Sequence, residues 1–127
     1  MIVDASALLA IVLNEPDAAT FVEALRASEL SAISAAGYVE AGIRADHDPE
    51  RGQFLDILID AFDIEVAEVT REQAVVARGA YRLYGKGRHP AGLNFGDCFA
   101  YALAKARSQP LLYKGRDFVK TDLPAAI

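Results

Sequence analysis

Four acidic residues, Asp4, Glu40, Asp97 and Asp117, are set apart in this 127-residue chain by what surrounds each of them. Asp4 directly follows the apolar Met1-Ile2-Val3, and Asp117 comes after Leu111-Leu112-Tyr113, so both lie beyond short runs that read as buried strands. Asp97 falls in the first turn of LNFGDCFAYALAKA, Leu93 to Ala106, three positions after Asn94, a good helix cap. Glu40 lies in a predicted helix beside the apolar Ala36, Val39 and Ile43, where an ionised carboxylate needs a cation, donors or a proton. Carboxylates gathered on one rim repel one another unless something positive sits among them. Oxygen ligands alone suit a hard cation, magnesium or manganese, which keeps several waters and takes only one or two carboxylates directly. The concrete reaction at such a site is phosphodiester hydrolysis, with the ion activating a water and offsetting charge on the phosphoryl group.

Each acid also has an ordinary structural use. Asp4 can cap a helix, Glu40 can pair with Arg44 one turn on, Asp97 suits the positive end of the helix dipole, and Asp117 suits a turn after Gly115. Their joint placement is what favours a site, and that placement depends on the fold.

Strands are predicted at Met1 to Val3, Leu30 to Ile33, Ile64 to Val69 and Leu111 to Tyr113, with a short terminal one near Leu123. Glu65 and Glu68 interrupt the third, which places it near a sheet edge. Between the strands the apolar spacing is helical. Helices are predicted over Ala5 to Leu13, from Pro16 through Leu25, from a cap at Ser34 to about Arg44, and from Glu50 to Phe62. A capping box at Thr70 and Gln73 opens another to Tyr84, and Leu93 to Ala106 forms the last. This alternation implies one α/β domain over residues 1–127, a three-layer sandwich with a mainly parallel central sheet and helices on both faces. Ligands of such sheets bind beyond the carboxyl ends of the strands, a rim that all four acids can reach.

Composition narrows the classes further. A chain that is 53% hydrophobic and 24% charged suits a packed core. The apolar run Ala7 to Leu13 is far shorter than the ~20 residues that cross a bilayer, and no basic segment precedes it, so a cytoplasmic protein is expected. Cys98 is the single cysteine and only His47 and His89 could assist it, which argues against a disulfide or a zinc site. A net charge of -5 argues against a general nucleic-acid coat but is compatible with a nuclease carrying a local basic patch. Arg78, Arg82 and Lys86 at i+4 spacing, interleaved with Tyr81 and Tyr84 and followed by Arg88 and His89, form either a phosphate-gripping stripe or a solvated helix face. The broad apolar faces of Leu8 to Leu13, Phe21 to Leu25 and Phe54 to Phe62 suit core packing, an amphipathic partner segment or a second copy of the chain.

MIVDASALLAIVLNEP with Asp4, the helix carrying Glu40, LNFGDCFAYALAKA with Asp97, and PLLYKGRDFVKTDL with Asp117 together resemble the PIN-domain ribonucleases, specifically the VapC-type toxins of bacterial toxin-antitoxin pairs. The resemblance runs from Met1 to about Leu123. It implies a type II toxin acting as a magnesium-dependent endoribonuclease, with manganese as a substitute, usually a homodimer and held inactive by a VapB-type antitoxin. It also implies that Asp4, Glu40, Asp97 and Asp117 form an acidic pocket, with Asp4 and Asp97 as direct metal ligands and Ser6 and Asn94 in support. Asp122 is either a further acid or a tether for the terminal segment, and His89 either shuttles protons or is incidental. Two other functions compete. A receiver-like phosphoacceptor would use Lys114 as phosphate partner, but it normally needs an acidic pair where Asp4 stands alone; a non-catalytic RNA- or protein-binding module would keep the fold without the chemistry.

Overall fold

Ile2 and Val3 are completely buried and form β1 (Ile2–Val3) in the computed structural model, which describes residues 1–127. β1 lies between β2 (Ala32–Ser34) and β4 (Leu111–Leu112), and β3 (Glu65–Ala67) completes a four-stranded sheet in the order β3-β2-β1-β4. All pairings are parallel: Ile2 stands opposite both Ala32 and Leu111, and Ile33 opposite Val66. β3 occupies an edge, as its interrupting glutamates led one to expect, with Glu65 and Val66 exposed and Ala67 buried. The predicted terminal strand near Leu123 reduces to a single bridge between Leu111 and Ala125.

Because successive residues of a strand face opposite ways, Val3 and Ile2 feed two separate cores. On the Val3 side are α1 (Ala5–Val12), α2 (Ala18–Ala27), α3 (Ala35–Ala45) and α4 (Pro49–Ala61), joined through Leu8, Ile11, Phe21, Leu25, Leu55 and Leu58. On the Ile2 side are α5 (Arg71–Tyr84) and α6 (Phe95–Arg107), joined through Ala77, Ala80, Tyr101 and Leu103 together with Leu93 and Phe118. The result is the expected three-layer α/β architecture. Most of the broad apolar faces of α1, α2 and α4 is consumed by packing within this core, whereas Phe54 and Ile57 on α4 stay 40% and 56% exposed. No helix is long and apolar enough to cross a membrane.

Capping follows the sequence in most places. Asp4 accepts from Ser6 N at α1, Asp48 from Glu50 N at α4 ahead of Pro49, and Thr70 from Gln73 N at α5. Ser34 departs from expectation. It precedes α3 but makes no side-chain cap, and its Oγ is buried without a hydrogen-bond partner. As the last residue of β2, only 2% exposed, it keeps its side chain within the buried strand and does not turn it to the first N–H groups of α3.

Candidate active site

The carboxyl ends of β1 and β4 and the first turn of α6 surround a cavity of about 260 Å³. Asp4, Glu40, Asp97 and Asp117 all line it, with Ser6, Asn94, Arg44 and Lys114 beside them. The sequence elements that place these groups can be followed one at a time.

Asn94 and Asp97 form a complete capping box. Asn94 Oδ1 accepts from Asp97 N at 2.9 Å, and Asp97 Oδ2 accepts from Asn94 N at 3.0 Å. The same carboxylate that starts α6 thus faces the cavity from a helix whose residues Cys98 to Leu103 are buried except for Phe99, a rigid base. Asp4 follows the central strand directly, and its Oδ2 accepts from Ser6 N at 3.0 Å and Ser6 Oγ at 2.5 Å. Ser6 Oγ in turn accepts from Lys114 N at 2.9 Å, so one hydroxyl couples the Asp4 carboxylate to the backbone just after β4.

Glu40 is half-buried and reaches from α3 to the start of α6. A Cβ added to Gly96 would lie 1.8 Å from Glu40 Oε2, so the absence of a side chain at 96 is what admits this carboxylate. The alternative use of Glu40, an ion pair with Arg44, does not form, although both line the cavity. Asp117 comes from the loop after β4 and stands within interaction range of both Asp4 and Asp97.

Burial and mutual repulsion govern the electrostatics. Asp4 and Asp97 are 4% and 5% exposed, and none of the four acids makes an ion pair. Burial pushes the Asp97 carboxyl well above the usual range, the Asn94 N–H opposes this, and Asp4 and Asp117 push it further up. Asp4 is raised for the same first reason, against the two bonds from Ser6 and with Asp117 adding. Glu40 is raised by burial and then by the charge of Asp4. Such carboxylates favour a cation in the cavity. No three acidic, histidine or cysteine side chains converge closely enough to cage an ion unaided. The all-oxygen donor set nonetheless fits magnesium or manganese, which uses one or two carboxylates and fills its remaining positions with water or phosphate oxygens.

Other candidates have partners apart from the four acids. Asp122 accepts from Tyr101 Oη and Lys105 Nζ, each at 2.8 Å, and so ties the terminal segment to α6. His89 Nδ1 accepts from Ala91 N at 3.0 Å and its ring meets the edge of Tyr84, a loop-shaping use. Lys114 Nζ is engaged by Glu15 and Asp17, which removes it as the phosphate partner a receiver domain would need. The stripe Arg78, Arg82, Lys86 and Arg88 lines a second, larger groove that shares Asn94 with the acidic cavity. Gly96 was not singled out in the sequence. Its signal was available, because glycine inside a helix costs about 1 kcal/mol against alanine and one beside Asp97 calls for a reason.

The PIN domain family matches residues 1–123. Ribonuclease VapC30 of Mycobacterium tuberculosis is 46% identical over 125 residues, covering 97% of this chain and 95% of that protein. Ribonuclease VapC28 of the same organism is 48% identical over 130 residues, covering 100% and 98%. Ribonuclease VapC of Mycolicibacterium smegmatis is 45% identical and covers 98% of each chain. Among solved structures, Mycobacterium tuberculosis VapC20, a Sarcin-Ricin loop cleaving toxin, superposes with a TM-score of 0.77 at 13% identity, covering 96% of this chain and 95% of that one. A toxin-antitoxin complex from Klebsiella pneumoniae gives 0.74 at 16%, covering 95% and 92%. The two structures speak for the fold, and the three sequences for the kind of protein. This chain belongs to the PIN-domain family, among its VapC-type ribonuclease toxins.

Proposed function

We propose that this protein acts as one PIN-like domain over residues 1–127, a magnesium-dependent endoribonuclease that hydrolyses RNA phosphodiester bonds at the pocket of Asp4, Glu40, Asp97 and Asp117, with manganese as a substitute ion. One observation carries the reading: two buried carboxylates share a cavity with two further acids, and none of the four is neutralised by an ion pair. Asp4 and Asp97 would hold the ion. When bound, it supplies Lewis-acid chemistry, lowering the pKa of water and offsetting phosphoryl charge. Ser6 and Asn94 keep the two carboxylates in place through the bonds described above. Glu40 and Asp117 flank the cavity as acceptors that orient water and take up its proton.

Partners follow from the same reading. The kinship with VapC ribonucleases supports RNA as substrate, and the likeness to a toxin-antitoxin complex supports an antitoxin as inhibitor; on this proposal that antitoxin is VapB-type and the toxin acts in the cytoplasm as a homodimer. Val39 and Ile43, one turn apart on α3 beside Glu40, are 57% and 67% exposed and offer apolar surface for such a partner next to the pocket. The receiver-like alternative loses its phosphate partner with Lys114, and a non-catalytic module gives no reason to bury unpaired carboxylates. Expression of the chain alone is expected to arrest bacterial growth, with Asp4→Asn or Asp97→Asn relieving the arrest. Sequencing of new RNA ends after induction reads both activity and target. Equal toxicity of those variants, or cleavage by purified protein that persists in a chelator, would overturn the mechanism.

A further inference from the structure

The groove between α5 and α6 has a cavity volume of about 760 Å³, larger than the acidic pocket it adjoins. Its charge is unexpected in a protein with 18 acidic and 13 basic residues. Arg78, Arg82, Lys86 and Arg88 line it, no acidic residue does, and none of these four cations makes an ion pair. Arg44, Arg51, Arg71, Arg116 and Lys120 are also unpaired, but Arg78, Arg82, Lys86 and Arg88 stand together along one groove with no carboxylate among them. Four unpaired cations on one wall are a site for an anion, and their repetition along the groove suits a chain of phosphates.

Aromatic rings lie among the charges. Tyr81 is 38% exposed with the Arg88 guanidinium 5.9 Å above its ring centre, and Phe95 is 78% exposed at the first position of α6. Phe95 makes an edge-to-face contact with Phe99 at 4.9 Å and presents the rest of its ring two residues from Asp97. Exposed rings stack on bases that are unpaired; a duplex hides its base faces and offers them nothing. Asn94 belongs to both cavities, so an occupant of the groove passes directly to the acids.

We infer that this groove binds the single-stranded RNA segment beside the scissile bond, with Arg78, Arg82, Lys86 and Arg88 on its phosphates and Tyr81 and Phe95 under its bases, and leads it past Asn94 into the acidic pocket. The inference deepens the ribonuclease reading and rests on it for the identity of the strand.

The test measures binding apart from chemistry. A fluorescein-labelled, mixed-sequence single-stranded RNA of about 10 nucleotides is titrated onto the full chain carrying Asp4→Asn, in chelator, and followed by anisotropy. Adding Arg78→Gln with Arg82→Gln is expected to weaken binding at least about tenfold and to flatten the dependence on log salt by about 1.4, the two phosphate contacts removed. Phe95→Ala is expected to weaken it about tenfold with the salt slope kept, as loss of one stacked base requires. The same sequence as a duplex should bind less tightly than the single strand. Unchanged affinity in the arginine and phenylalanine variants, or equal binding of duplex and single strand, overturns the inference. So does conversion of a dimer to a monomer by these substitutions in light scattering, which would make the groove an interface between copies. Failure of the ribonuclease reading looks different: the groove variants lose RNA as expected, yet the unsubstituted chain cleaves nothing when metal is supplied.

Discussion

Gly96→Ala separates the pocket from the fold, because the two should respond in opposite directions. An alanine Cβ at 96 would stand 1.8 Å from Glu40 Oε2, 2.6 Å from Cδ and 3.0 Å from Oε1, and real Cβ atoms essentially never come within 3.0 Å of another group. Glu40 must withdraw by on the order of 1 Å, a displacement that at a reacting centre can reduce a rate by ~100-fold. The obstructing atoms are the end of a flexible side chain, so the backbone need not move. Alanine is meanwhile the better helix residue, by at most roughly 0.5–1 kcal/mol because Gly96 lies in the first turn of α6. For a domain of this size that corresponds to a melting temperature higher by at most about 2–4 °C. The measurements are a thermal melt without metal and initial rates of RNA cleavage with magnesium supplied. The expected result is a protein at least as stable as the unsubstituted chain and about 10- to 100-fold slower. Cleavage at the original rate would show that the position of Glu40 is immaterial to the chemistry. A joint fall in stability and rate would show that the helix, and not the carboxylate, absorbed the clash.

Further outcomes follow from other contacts. The raised Asp4 and Asp97 carboxyls make the folded state bind protons more tightly than the unfolded one, so metal-free stability is full below the ordinary carboxylate range and declines as pH rises through the raised values. Asp97→Asn should therefore melt above the parent at about pH 8, converge with it near pH 4, and gain less from magnesium; identical melts at both pH values would refute the burial argument. Ser6→Ala removes the acceptor of Lys114 N and a donor to Asp4, and should lower stability by about 1–2 kcal/mol together with cleavage, whereas Ser6→Thr should retain both. Asp122→Asn should weaken the tie to Lys105 by no more than about 1 kcal/mol and leave cleavage unchanged. A rate as low as that of Asp4→Asn would return Asp122 to the site.

The rim of acids was legible because a parallel sheet gathers the carboxyl ends of its strands along one edge. Asp4 after Ile2-Val3 and Asp117 after Leu111-Leu112-Tyr113 needed only that rule, and Asn94 with Asp97 announced a capping box locally. Contacts between elements distant in sequence were not legible. Gly96 and Glu40 meet only because α3 and α6 pack together, and no local pattern encodes that approach. Lys114 reads as a free cation after a strand until Glu15 and Asp17, nearly the whole chain away, are seen to hold it. The apolar breadth of α1 suggested spare surface for the same reason: α2, α3 and α4 all pack on it, and a helix enclosed on several sides needs more than one stripe. Ser34 shows a propensity overruled, since a residue that closes a buried strand cannot also turn its hydroxyl to the helix it precedes.

The brevity of β1 has a consequence for how the pocket comes apart. Two residues flanked by β2 and β4 leave Asp4 one peptide step from the centre of the sheet, with its own N–H bonded to Leu112 O at 2.9 Å. That amide can open only when the sheet opens, so its hydrogen exchange should follow global unfolding. Asp117 is an exposed residue on a loop pinned by the buried Phe118, but the nearby backbone bonds are local, such as Val119 N to Arg116 O, so this turn can open without opening the sheet. The four acids therefore do not share one lifetime. Warming should dismantle the pocket from the Asp117 side first, so that activity fades over a range of temperature in which Asp4 and the sheet behind it are still intact.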